Sequence, residues 1–172
     1  MSEPPVAVRP EAPTDAVAID ALLRAAFAGG WEAALVDRLR GSRALPLALA
    51  AETSAGEVVG HIAFSPLPIA TDTAAVVNAL ALAPLAVRPD WQRRGIGSLL
   101  VQDAFDRLRD AGAPLVVVLG DPAFYGRFGF RAEVAAGIRC PYAGPALQAL
   151  PLDGRDLVGI AGDAAYHPAF SA

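Results

Sequence analysis

Lysine is absent from this 172-residue chain, and all 14 of its basic residues are arginine. The absence removes a lysine nucleophile, a lysine Schiff base, the phosphate-binding lysine of a Walker-type loop and lysine self-acetylation. A compositional bias of the genome explains most of it. Cysteine is nearly absent too. The single Cys140 excludes an internal disulfide and a multi-thiolate metal site. It follows Gly137-Ile138-Arg139 at an expected strand end, with no histidine near it in sequence, which favours a buried, inert thiol. Charge is sparse: 19% of residues are charged and the net charge is -4, so nothing draws the chain to nucleic acid or to an anionic membrane. Arg93-Arg94 is the one basic cluster. The start, Met1-Ser2-Glu3-Pro4-Pro5, lacks the basic and apolar regions of a signal peptide. The apolar run Ala74 to Val87 is too short, and too interrupted by Asn78 and Pro84, to span a bilayer. The expectation is a cytoplasmic protein with no nucleic-acid and no membrane partner.

What is present is apolar. At 54% hydrophobic residues the chain is globular, and its length suits a single domain over residues 1–172 with residues 1–5 frayed. Val6 to Pro10 predicts a first strand. A helix capped by Thr14 or Asp15 runs through Phe27, Gly29-Gly30 breaks it, and a second helix covers Trp31 to Arg40. Trp31 reads as a partly buried packing residue. Leu45 to Glu52, Glu57 to Ile69 and Ala75 to Val87 then read as an antiparallel three-strand meander. Pro84 interrupts the third strand's pairing, because proline has no N–H for the ladder. A helix from Gly95 places Ile96, Leu99, Leu100, Ala104, Leu108 and Ala111 on one side, and Gly112 ends it. The apolar run Leu115 to Leu119 follows, so strand, helix and strand form a right-handed βαβ unit with a parallel pair. Asp121 and Pro122 open a short helix through Phe128. Further strands are expected near Phe130 to Val134, Ala146 to Leu152 and Leu157 to Gly162, then a docked aromatic tail, Tyr166 to Phe170. The class is α/β (α+β), with a mixed, mostly antiparallel sheet.

The most informative stretch is Leu85 to Ser98. A strand ends at Arg88-Pro89, a turn carries Arg93 and Arg94, and Gly95-Ile96-Gly97 opens a helix. Backbone N–H groups at a helix start, together with the helix dipole, favour an anion, and glycines admit the close approach of a ligand. The stretch is a pyrophosphate cradle. As a dinucleotide fingerprint it is poor, since Leu100 stands where the third glycine belongs.

Gln92-x-x-Gly95-x-Gly97, directly after Leu85-Ala86-Val87, resembles the acetyl-CoA cradle of the GNAT family of N-acetyltransferases, whose motif is Gln/Arg-x-x-Gly-x-Gly/Ala. Tyr125-Gly126-Arg127-Phe128-Gly129-Phe130 is similar to the family's late Tyr-x-x-x-Gly-Phe motif. The element order matches from Val6 to Phe170, and the ending Tyr166-His167-Pro168-Ala169-Phe170 resembles one subgroup of small bacterial members. The resemblance implies the GNAT fold and an acetyl-CoA-dependent N-acetyltransferase acting on an unidentified amine of a small molecule or protein, in a family where homodimers are common. It further implies that the backbone of Leu85, Ala86 and Val87 pairs with pantetheine. The turn Gln92, Arg93, Arg94, Gly95, Ile96, Gly97 and Ser98 would hold the pyrophosphate, with Arg93 or Arg94 reaching the adenosine phosphate. Tyr125 would protonate the leaving thiolate.

The chain also departs from the family. Many members carry asparagine seven residues before the tyrosine, where this chain has Val118. No general base stands out. Asp121 is a candidate with helix capping as its competing job, and His61, with Ser65 beyond it on the same strand, is a candidate for the acceptor side. No residue set suggests a metal. These departures leave open a second function, an acyl-CoA-binding sensor without turnover.

Overall fold

The computed structural model describes residues 5–154 and 159–172. In chain order the elements are β1 (Val6–Pro10), α1 (Ala16–Ala26), α2 (Trp31–Gly41), β2 (Leu47–Thr53), β3 (Val58–Thr71), β4 (Val76–Val87), α3 (Ile96–Asp110), β5 (Leu115–Leu119), α4 (Pro122–Tyr125), α5 (Ala132–Ala135), β6 (Gly137–Arg139), β7 (Leu147–Pro151) and β8 (Ala161–Ala164). Short 3-10 turns lie at Pro13–Asp15, Pro89–Trp91, Gly126–Phe128 and Pro168–Phe170. None of the described helices is long and apolar enough to cross a membrane.

Contacts divide the chain into two compact units. One runs to Phe64 and takes in Ala83–Asp106 and Ser171–Ala172; the other is Ser65–Leu82 with Arg107–Phe170. In the first unit β1, β2 and β3 form an antiparallel meander, with Val6 opposite Thr53 and Leu47 opposite Phe64. The apolar stripes of α1 and α2 bury Ile19, Leu22, Leu23, Ala33 and Val36 in one cluster with Ala86 of β4. The start of α3 lies flat on the meander at Gly60, where an added Cβ would stand 2.9 Å from Leu100, 3.0 Å from Ile96 and 3.2 Å from Ala51. Glycine is what permits this approach of helix to sheet.

In the second unit Leu80–Leu82 of β4 runs parallel to Val116–Val118 of β5, the expected βαβ pair, and β5 is antiparallel to β7. Leu115 to Val118 are all buried, as a strand covered on both faces requires. A second parallel pair, β6 with β8, was not evident from sequence, and β8 also pairs with the end of β3. Arg139 of β6 ties this edge together through Asp163 at 2.8 Å and Asp72 at 2.7 Å. The tail docks as expected, with Tyr166 edge-on to Tyr142 at 4.9 Å and to Phe170 at 5.0 Å. Cys140 is half-buried, just past the end of β6.

The helix after the cradle ends as its glycine predicts. Gly112 takes φ +78° and donates to Arg109 O, while Ala113 donates to Leu108 O, the two bonds of a Schellman cap. Its buried face differs from the one read off the sequence. Leu99 and Ala111 are exposed, while Val101 and Phe105 are buried. Seating Ile96 and Leu100 against Gly60 sets the rotation of the helix and carries Leu99 off the packed face.

Three local expectations are corrected. Asp15 does not cap α1; its carboxylate folds back to Ala12 N–H at 2.7 Å and pairs with Arg9 at 2.7 Å. Residues 130–134 are not a strand. Arg131 makes one bridge to Ala149 and the alanine-rich segment that follows turns into α5, in keeping with the helix propensity of alanine. The strand expected over Leu157 to Gly162 falls partly outside the described residues; of its described part Gly159 and Ile160 lie before the strand, and Ala161 and Gly162 begin β8.

Candidate active site

The cradle is built in the first unit. Leu85 and Val87 are half-buried at the end of β4, and Ala86 between them is buried in the helix-facing cluster. The parallel ladder to β5 stops at Leu82, two residues before Pro84, so Leu85–Val87 lies past its end. Arg88 N–H bonds to Val59 O at 2.8 Å and anchors the strand end on β3. Gln92 then donates its side-chain amide to Val87 O at 3.0 Å, closing the turn back onto the strand. The role of Gln92 is thus to shape the loop.

The turn holds two left-handed positions one residue apart, Arg93 at φ +62° and Gly95 at φ +79°. Gly95 has open space where a side chain would go, so its glycine answers to backbone conformation. Leu99 N–H donates to Gly95 O at 3.0 Å, which makes Gly95 the cap of the 15-residue helix α3. A helix leaves N–H groups of its first turn without intrahelical acceptors, and α3 begins with Ile96 and Gly97. The Ile96 side chain is buried against Gly60, so Ile96 offers only its backbone.

The two arginines differ. Arg94 lies 4.8 Å over the Trp91 ring and donates to Asp90 O at 2.9 Å. Trp91 is itself buried, and Arg88 holds the neighbouring Asp90 carboxylate at 2.7 Å, keeping it below the usual range. Arg93 is exposed and has no partner among the described residues. The donor set therefore fits a pyrophosphate: a helix N-terminus, a left-handed turn that aims amides outward, and one uncommitted guanidinium.

Tyr125 belongs to the second unit. Asp121 caps its short helix by accepting Ala123 N–H at 2.9 Å, so the Asp121 carboxylate is committed to capping. The Tyr125 ring lies on the backbone of Gly120, where a Cβ would stand 2.5 Å from Cε2. Phe124 and Phe130 hold it edge-on at 4.9 and 5.6 Å. Burial pushes the phenol up to about 12, and its hydroxyl meets no hydrogen-bond partner among the described residues. A phenol with that value stays protonated near neutral pH and acts as a donor.

His61 is fully buried in the first unit. Its Nε2 meets Glu11 Oε2 at 3.0 Å, and its Nδ1 is buried without a partner. Glu11 also accepts from Arg40 Nε at 2.7 Å. Burial works against the Glu11 charge, and the bonds from His61 and Arg40 overcome it and hold the carboxyl below its ordinary range. Ser65 is fully buried as well, its hydroxyl unpartnered. Neither residue presents a side chain to solvent. The cluster of His61, Glu11 and Arg40 has no signature along the chain, because 50 residues separate His61 from Glu11. Gly60, which seats the cradle helix, carried a signal in the sequence: a glycine inside the expected strand Glu57 to Ile69. No group of three metal-ligating side chains occurs among the described residues.

A family model described as Acetyltransferase (GNAT) family matches residues 16–130, which take in the cradle and the Tyr125 motif. This chain belongs to the GNAT family. An N-acetyltransferase of Escherichia coli named as uncharacterized, YhbS, is 39% identical over 166 residues, covering 95% of this chain and 98% of that protein. A crystal structure of E. coli YhbS in complex with CoA aligns with a TM-score of 0.90 at 37% identity, over 100% of this chain and 95% of that one. A GNAT family acetyltransferase from Brucella melitensis, solved in complex with acetyl-CoA, aligns at 0.80 and 38% identity over 98% and 99%. The GNAT fold expected from the cradle motif is therefore the fold of the chain, with its mostly antiparallel sheet and βαβ pair.

Proposed function

We propose that this GNAT chain moves an acetyl group from acetyl-CoA to a primary amine, using Leu85–Val87 and the turn Gln92–Ser98 for the donor and Tyr125 as general acid. The observation that carries the proposal is the left-handed turn at Arg93 and Gly95 leading into the α3 N-terminus. The relatives solved with CoA and acetyl-CoA support the same donor. The family match runs through residues of both units, which supports treating them as one catalytic domain.

The first-turn amides of α3 and the Arg93 guanidinium take the phosphates. The backbone of Leu85–Val87 pairs with the pantetheine amides as an added strand would. The acceptor amine, in its neutral form, attacks the thioester carbonyl, and an N–H at the strand end near Val87 holds the oxyanion. The C–S bond then breaks, Tyr125 gives its proton to the departing thiolate, and the nitrogen loses its extra proton to water, through which a proton returns to the Tyr125 phenolate. Aligning two bound substrates supplies much of the acceleration. Asp121 is a cap and His61 a buried structural group in this scheme, so the acceptor is read by other residues. The cytoplasm, where acetyl-CoA is consumed, is the compartment that fits.

Calorimetric titration with acetyl-CoA tests the donor, and thiol release over spermidine, tyramine, an aminoglycoside and a peptide with a free N-terminus tests transfer. Binding with turnover of an amine is the expected result. Absence of acetyl-CoA binding overturns the proposal, and binding without any turnover favours a sensor.

A further inference from the structure

Gln148 is a polar side chain in an apolar setting. It lies in β7 opposite Val118 of β5, between Leu147 and Ala149, and is 1% exposed. Burying an amide there costs free energy unless its donors are used. Both are. Nε2 donates to Gly120 O at 3.1 Å and to Ala146 O at 3.3 Å. Since both neighbours are carbonyls, which only accept, the amide has a single sensible orientation, nitrogen toward them.

These two carbonyls mark the place where the β5–β7 ladder ends. Its last pair is Leu119 with Leu147. One residue further, Gly120 N–H bonds to Ala146 O at 3.1 Å, and the Gln148 amide bridges the same two residues from the carbonyl side. Gly120 is thereby held on two sides. It is also the surface on which the Tyr125 ring rests, close enough that a methyl group in place of the glycine hydrogen would overlap Cε2. The ring has contacts with Phe124 and Phe130 on its edges and Gly120 against its flank.

We propose that Gln148 is a positioning residue for Tyr125: its amide clamps Gly120 against the start of β7, and the clamped backbone fixes the height and tilt of the phenol. The proposal rests on Tyr125 being the general acid. A clamp of this kind acts on proton delivery and leaves donor binding alone, because the cradle is built from other elements. Gln148→Met keeps the volume of the side chain and removes both donors, so Gly120 loses one of its two restraints.

The test is a double-mutant cycle of Gln148→Met with Tyr125→Phe, read as kcat and as KM for acetyl-CoA with the amine of the panel that turns over fastest. The expected result is a loss of roughly ten-fold or more in kcat for Gln148→Met, with KM changed less than two-fold, and no further loss when Gln148→Met is added to Tyr125→Phe. Equal fold-losses in both backgrounds, or a native kcat in Gln148→Met, overturn it. A Tyr125→Phe protein with native kcat overturns the acid assignment and this proposal with it, whereas a slow Tyr125→Phe with multiplying losses overturns this proposal alone. Should Gln148→Met fail to fold, Gly120→Ala perturbs the same contact from the other side and should lower kcat at unchanged KM; a native kcat there counts against the clamp. With no productive amine, the 19F resonance of 3-fluorotyrosine at position 125 serves instead. It should shift or broaden in Gln148→Met, and an unchanged resonance overturns the proposal.

Discussion

Gly60 and Ile96 meet with no room for a methyl group between them: a Cβ on Gly60 would lie 3.0 Å from Ile96 Cγ2. That contact sets the height of the α3 N-terminus over the meander, and with it the position of the amides proposed to hold pyrophosphate. Gly60→Val should cost about 1–3 kcal/mol through overpacking and weaken acetyl-CoA binding about ten-fold or more. Thermal unfolding and calorimetric titration check the two effects. Native affinity in a folded Gly60→Val protein would remove the contact from the account of binding.

Arg93 and Arg94 should separate cleanly. Arg93→Ala removes an uncommitted guanidinium and should weaken acetyl-CoA by about 1.5–3 kcal/mol, roughly 10- to 100-fold, with the difference narrowing as salt is raised. Its melting temperature should stay near native. Arg94→Ala breaks the contact with Trp91 and Asp90, so it should lower the melting temperature and cost less affinity. The opposite ranking in titration and melting would show that Arg94 is the phosphate ligand.

Tyr125→Phe keeps the edge contacts of the ring and loses the proton. It should reduce kcat about 100-fold with little change in melting temperature. Because burial puts the phenol at about 12, the native rate should show no falling limb below pH 10 that belongs to Tyr125. A falling limb between pH 8 and 10 that disappears in Tyr125→Phe would show that the phenol ionises lower.

The Glu11 carboxyl is held below its unfolded value, so its contribution to stability is full above about pH 4.5 and is lost as pH falls through the folded value. Glu11→Gln, which leaves Arg40 and His61 without their carboxylate, should destabilise the protein by about 2 kcal/mol at pH 7. The gap to native should narrow in denaturant unfolding as pH falls below about 4.5 and through the lowered folded value. A gap that is constant with pH would mean that packing, not charge, holds this triad.

Local chemistry was legible in the chain wherever a residue acts on its immediate neighbours. Gly95 after a strand, Asp121 before a four-residue helix that starts at Pro122, and Gly112 after the long helix each announce a backbone conformation, and each is found where expected. Such signals point to a phosphate-binding turn, since one is built from backbone amides, while acetyl-CoA as the donor was what the resemblance of Gln92-x-x-Gly95-x-Gly97 to the GNAT motif implied. Tyr125 was legible by its motif, while its phenol environment was not, because that depends on Gly120 beneath the ring and Phe130 at its edge.

What tertiary structure decided is everything that joins distant residues. His61, a candidate for the acceptor side in sequence, is fully buried and meets Glu11, which also accepts from Arg40. The two arginines of the turn look equivalent in sequence and differ because Trp91 folds beneath one of them. Segment 130–134 alternates like a strand and becomes a bridge and a helix because only Arg131 finds a partner, in Ala149. Hydrophobic periodicity states which residues seek burial and says nothing about what will cover them. The sequence by itself therefore determined the local turns and caps through backbone chemistry, and its motifs carried the resemblance that implied the fold. The commitment of each polar side chain was decided by packing across the sheet, where a partner's identity depends on register and not on spacing along the chain.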